Sequence, residues 1–196
     1  MTPPSDVSSP SAPARNCVLA ATLDNAALVA VVGNGNFKLA PAFKQALQAV
    51  RLAACLCIVV DMGSCLHLDS TFMGAIAAAA LDARKPAAAT SLHFFNIRPN
   101  VEKLLAGLGI LPLMNVVSPD ALPAGTTSLD SLVAALAPVD AAPLSDRAMT
   151  AVLYDAHETL ARVSPENQAR FRDLLSLLRA DLGHPVDGGD APPATP

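Results

Sequence analysis

The sequence has no tryptophan, one tyrosine and only 4% aromatic residues. Grooves that read RNA bases or sugars stack them on aromatic rings, so this composition speaks against both. Charge is also sparse, with 15% charged residues and a formal net charge of −4. The 13 Lys and Arg form no dense run, so nucleic acid is not an expected partner. No long hydrophobic run is present either. The most apolar stretch, Met73 to Leu81, is bounded by Asp69 and Asp82 and falls well short of the ~20 residues that span a bilayer. Residues 1–16 contain no continuous apolar segment, so the expectation is no secretory signal, no membrane association and a cytoplasmic location. There the four cysteines Cys17, Cys55, Cys57 and Cys65 would be reduced and mostly buried.

What the chain does have is alanine, the main contributor to its 52% hydrophobic content. Small side chains suit helices that lie close on a sheet. A length of 196 residues gives one domain with room for a helical annex. Residues 1–16 are rich in Pro, Ser and Thr and read as a disordered lead. Val18 to Thr22 and Leu28 to Val32 are β-branched runs around the turn signal Asp24-Asn25, which predicts a hairpin. Gly33-Asn34-Gly35-Asn36 ends it. Pro41 opens a helix whose buried face is Phe43, Ala46, Leu47 and Val50.

Leu56 to Asp61 is apolar on both faces, as a central parallel strand is. Met62 to Leu68 reads as a loop, and Thr71 to Ala83 as a helix of small residues. Ser91 to Asn96 is the next strand, and Arg98-Pro99-Asn100 opens a helix that Gly107 and Gly109 end. Asn115-Val116-Val117 reads as a short edge strand and Ser128 to Leu136 as an amphipathic helix. Over residues 17–137 the order is β-β-α-β-α-β-α-β-α, which gives an α/β fold with a mixed, mostly parallel sheet covered by helices.

Residues 138–144, rich in Pro and Ala, read as a linker. Over residues 145–183, Met149, Val152, Leu153, Ala156 and Leu160 make one helical stripe, and Phe171, Leu174, Leu175, Leu178 and Leu182 make a second. Ser164-Pro165-Glu166 restarts the helix between them. Two such helices need a surface to cover. The hairpin is expected to dock on the domain, pair with a second copy or recruit a partner. Residues 184–196 read as a disordered tail.

Asp69-Ser70-Thr71 stands where the loop after the central strand meets the small-residue helix. Asp, Ser and Thr satisfy free N–H groups at a helix start. The same first turn favours negative charge, phosphate included. Ser70 is thus either a plain cap or a residue that can carry phosphate.

Three stretches resemble the STAS domain, the fold of the bacterial anti-sigma-factor antagonists. They are Leu28 to Val32 with Gly35-Asn36-Phe37-Lys38 and the helix from Pro41; Ile58 to Asp61 with Leu68-Asp69-Ser70-Thr71-Phe72-Met73-Gly74; and Leu92 to Asn96 with Val101 to Leu108. The resemblance covers about residues 18–137 and implies a STAS-like sheet plus the added C-terminal hairpin. In that family the serine after the Asp is phosphorylated by a kinase that is also the anti-sigma factor, and the matching residue here is Ser70. The resemblance implies a non-enzymatic antagonist that binds an anti-sigma factor or serine kinase of the histidine-kinase-like ATPase type. Asp69, Thr71, Phe72, Met73 and Lys38 would surround the contact. Phe72 stands where the family has glycine, and Lys38 where it has an acidic residue. Both departures point to an altered partner surface.

The alternative reading is a STAS scaffold without phosphorylation, which binds or dimerises through the C-terminal helices. An enzyme would have to use Cys65-x-His67-x-Asp69, a row whose alternate residues share a face if extended. With Cys55 and Cys57 its spacings match no standard zinc pattern, so no metal and no cofactor are expected. Gly33-Asn34-Gly35 lacks the rest of a phosphate loop and reads as a turn. His93 reads as a half-buried strand residue. His157 and Glu158 read as the solvated edge of the C-terminal stripe, and Arg98 and Lys103 as solvated charges around a helix start.

Overall fold

The computed structural model describes residues 16–86, 88–118 and 129–183. The expected tail 184–196, all of the expected lead except Asn16, and the Ser128 start of one helix lie outside the described residues. Strand β1 (Cys17–Leu23) and strand β2 (Ala26–Gly35) form the expected antiparallel hairpin. Asp24 turns it in the left-handed region at φ 51°, where Asp is tolerated better than most residues. Helix α1 (Ala40–Leu52) follows, with Pro41 in its first turn.

Strand β3 (Cys57–Asp61) pairs parallel with β2, and β5 (Ser91–Phe95) pairs parallel with β3. The main sheet runs β5-β3-β2-β1-β6, with the two-residue strand β6 (Ala137–Pro138) at its edge. Its centre, β2, feeds both faces. Ala27, Val29 and Val31 enter the larger core, while Ala26 and Leu28 enter the smaller one. That is the period-2 alternation of a strand covered on both sides.

The larger core lies under α1, helix α2 (Ser70–Ala83) and helix α3 (Pro99–Gly107). Helix α4 (Leu129–Ala134) places Leu132 in the smaller core, with Val59 and Phe95. Together these elements make the expected α/β sheet covered by helices.

Four expectations are corrected. Met62 to Leu68 is not only a loop: Cys65–Leu68 is strand β4, parallel to the end of β2, with Gly33 opposite Cys65 and Gly35 opposite Leu68. Its ends are buried and its middle exposed, so it lacks the alternation that marks a strand. The stretch Gly33 to Gly35 therefore continues β2 instead of breaking it. The start of the linker, Ala137–Pro138, is the edge strand β6 against β1. Asn115 to Val117 forms a single bridge, Val116 to Phe94.

Helices α5 (Asp146–Ala161) and α6 (Pro165–Asp181) are capped by Ser145 and Ser164, whose hydroxyls accept the Ala148 and Asn167 N–H groups. Of the three expected fates of this hairpin, docking on the domain is what the structure shows. Helix α5 lies along α2, and a Cβ at Gly74 would run into the Ala156 backbone. Leu160 and Phe171 join the larger core. A fully buried leucine stabilises by about 1.5–3 kcal/mol, so Leu160 alone gives the docking a firm anchor. Asn167 is buried and donates to the Leu108 carbonyl at 2.9 Å and the Leu160 carbonyl at 3.0 Å, joining α6 to the end of α3.

Candidate functional site

The site grows from the turn between β4 and α2. The backbone N–H of Asp69 donates to the Gly35 carbonyl at 3.0 Å, which fixes the turn to the end of β2. The Asp69 carboxylate then holds two amides. Oδ1 accepts the Phe72 N–H at 2.8 Å, which caps α2, and Oδ2 accepts the Phe37 N–H at 2.7 Å. One side chain thus ties the loop after β2 to the helix start. Gly35 makes the approach possible, since a Cβ there would crowd Leu68 and the Phe72 ring.

Ser70 is the first residue of α2 and is half-buried. Its Oγ lies 2.8 Å from His157 Nε2 on α5. His157 Nδ1 lies 2.8 Å from the Leu153 carbonyl. A carbonyl only accepts, so Nδ1 carries a proton. In the neutral ring Nε2 then accepts the Ser70 hydroxyl proton. The ring sits edge-on to Phe171 with centroids 5.1 Å apart and is only 3% exposed. The expectation of a solvated His157 is therefore corrected. Residue 157 stands four after Leu153 and three before Leu160, inside the apolar stripe. That spacing was the signal that places it inward.

The expected contact residues divide. Lys38 is exposed, its Nζ 5.8 Å above the ring of Phe37, which is 38% exposed. Leu66 on β4 is exposed as well. Thr71, Phe72 and Met73 are buried, and the Phe72 ring packs on Phe43 with centroids 5.0 Å apart. Expected beside a partner, at the first turn of α2 they face the core and the covering helices. Phe72 fills interior volume where the resembled family has glycine.

The enzyme-like row does not converge. Cys65 is buried while His67 is exposed, and the Cys65 thiol donates to the His67 carbonyl at 3.5 Å instead of reaching its ring. Burial pushes the Cys65 thiol above its ordinary pKa, outweighing the hydrogen bonds and the Arg98 charge. A protonated, enclosed thiol is a poor nucleophile. Burial also raises the Cys55 and Cys57 thiols. Among the described residues, no three His, Cys, Asp or Glu side chains gather in a way that could hold a metal ion. Arg98 Nε donates to the Gly63 carbonyl at 2.6 Å, so this charge anchors the loop before β4.

No family model matches the sequence, and no curated protein does. In structure, the chain is similar to solved anti-sigma factor antagonists. One, from Mycobacterium paratuberculosis, is 21% identical over 60% of this chain and 92% of that one, with a TM-score of 0.44. Another is the antagonist SpoIIAA in its unphosphorylated form, 14% identical over 53% of this chain and 90% of that one, with a TM-score of 0.45. A third is SLC26A9, 14% identical over 61% of this chain with a TM-score of 0.40; the match spans 24% of its length. Among the described residues, no helix is long and apolar enough to cross a membrane.

Proposed function

We propose that this chain is a non-enzymatic regulatory protein of the STAS type that binds a protein partner at the start of α2, with Ser70 as a phosphate acceptor. The supporting observation is the double grip of Asp69, which fixes the loop bearing Phe37 and Lys38 beside Ser70. An exposed basic and apolar rim thus borders a hydroxyl at the N-terminus of a 14-residue helix. Helix N–H groups and the macrodipole accommodate a phosphate there. The added charge of about −1.5 to −2 would repel a partner matched to a neutral hydroxyl.

The partner is a serine kinase and anti-sigma factor of the histidine-kinase-like ATPase type, and the setting is the cytoplasm. In the modifying step Ser70 Oγ bonds to the γ-phosphorus of ATP. The bond from that phosphorus to the ADP oxygen breaks, and the hydroxyl proton leaves to solvent. The test is a pull-down from the native cell with wild-type, Ser70→Ala and Ser70→Asp protein. An ATPase retained by the first two and lost by the third is expected. Equal capture by all three would overturn the reading.

A second reading is a scaffold that is not phosphorylated and dimerises through its C-terminal helices. It is favoured by the outer face of α6, where Leu177 is 66% exposed and Leu174 is exposed as well. Light scattering tests it: a dimer that Leu177→Asp converts to monomer supports the scaffold.

A further inference from the structure

We propose that the α5–α6 hairpin is a built-in cover for Ser70, and that a phosphate on Ser70 and the docked hairpin exclude one another. The regulatory meaning rests on the reading of Ser70 as a phosphate acceptor. The exclusion itself rests on geometry alone.

The 2.8 Å between Ser70 Oγ and His157 Nε2 is a hydrogen-bond distance. It leaves no space for a phosphorus and three oxygens along that line. His157 cannot make room by turning. Its Nδ1 is held by the Leu153 carbonyl, Phe171 packs against the ring, and the residue is 3% exposed. A phosphate that swings aside instead takes the hydroxyl from Nε2 and leaves a buried nitrogen without that partner. A buried polar group stripped of its hydrogen bond is costly. Either way α5 loses its seat on the first turn of α2.

The seat is also narrow. One turn further along α2, the Ala156 backbone rests where Gly74 has no Cβ. At the flank, Lys44 on α1 pairs with Asp155 on α5 at 3.7 Å, and both side chains are largely exposed. The last ion pair contributes little, so beside Ser70 the seat depends on close fit and on the Ser70–His157 bond, while Leu160, Phe171 and Asn167 hold the far end of the hairpin. A displaced hairpin uncovers both Ser70 and the small-residue face of α2. The docked hairpin therefore competes with any protein that engages this face. By linkage, a partner or kinase that takes Ser70 must supply the free energy of undocking.

Hydrogen exchange on the full chain tests this. In Ser70→Glu, amides in the second half of α5 are expected to exchange at least tenfold faster than in wild type, while those of β3 hold their rates. Unchanged or slower exchange in α5 would overturn the proposal, slower exchange meaning that His157 grips the added charge. A second pair of variants stands independent of how well Ser70→Glu folds. Ser70→Cys reacts with a maleimide at a rate read by peptide mapping. Adding Gly74→Leu, which wedges α5 from α2 and suits a helix better than glycine, is expected to raise that rate at least tenfold. Equal rates would sink the cover. If Ser70 carries no phosphate in its own cell, phosphate mapping fails while both of these readouts stand. The two failures are thus distinguishable.

Discussion

The Asp69 carboxylate and the Phe37 amide, 32 residues apart in sequence, meet at 2.7 Å. The same carboxylate caps α2 through the Phe72 N–H, so one side chain fixes the partner rim and the helix start together. Asp69→Ala removes a cap, worth about 1 kcal/mol, and a charge-assisted tertiary hydrogen bond, worth about 1.5–3 kcal/mol. Urea unfolding is expected to show a loss of about 2.5–4 kcal/mol, the sum of these. Asp69→Asn has one acceptor oxygen where the aspartate has two. It can keep one amide, so its loss is expected to be smaller. A loss below about 0.5 kcal/mol for Asp69→Ala would show that Asp69 does not hold the turn.

Phe72 and Lys38, both expected at the contact surface, are expected to respond in opposite ways. Phe72 is fully buried on Phe43. Truncating such a ring costs about 3–5 kcal/mol, so Phe72→Ala unfolds at a much lower denaturant concentration. Lys38 is exposed, and Lys38→Glu is expected to shift stability by no more than about 0.5 kcal/mol. Its effect appears in capture of the partner, where reversed charge changes the encounter rate and its salt dependence. A stability loss at Lys38 as large as that at Phe72 would contradict this division.

Much of this architecture is legible in residue pattern. The hairpin, α1, β3, α2 and β5 carry clear periodicity or turn chemistry, and their order gives the sheet. Strand β4 escapes because only Cys65 and Leu68, at its ends, are buried. It is held by pairing to the irregular end of β2, which four residues cannot announce. Strand β6 is two residues long and ends in Pro138, as an edge strand can. Asp69 and Ser70 are legible as a helix start, because capping is local chemistry. His157 is not, because a histidine in an apolar stripe gains its meaning from a partner 87 residues away. Which helix the hairpin covers is likewise a tertiary fact, set by Gly74 and Ala156.

His93 gives the chain a pH dependence with a definite sign. It is buried in β5, and Asn115 Nδ2 donates to its Nδ1 at 2.9 Å. Burial lowers its pKa below the ordinary value near 6.5, because the charged ring loses its water. The unfolded chain then binds a proton at a higher pH than the folded chain. His93 contributes no loss above a pH of about 6.5 and destabilises increasingly as pH falls from there toward the folded pKa. Melting temperature is expected to drop as pH falls from about 6.5 to about 5.5, in the range where an unperturbed His titrates, and the drop should shrink in His93→Phe. An identical slope in that variant would assign the effect elsewhere.

Asn167 separates docking of the hairpin from its helicity. Its side-chain amide donates to the Leu108 and Leu160 carbonyls within a buried site. Asn167→Ala strips the Leu108 carbonyl of this donor, an unsatisfied group costing about 1–3 kcal/mol, while the Leu160 carbonyl keeps the Val163 N–H at 3.0 Å. Asn167→Asp is expected to be worse, since it brings a carboxylate against two carbonyl oxygens with no donor between them. Neither change touches the Ser164 cap, whose hydroxyl accepts the backbone N–H of residue 167. Helix α6 therefore stays helical by circular dichroism while exchange in α5 and α6 accelerates, with Asp faster than Ala and Ala faster than wild type. Loss of helical signal in step with the exchange would mean that Asn167 supports the hairpin's own folding and not its seat on the sheet domain.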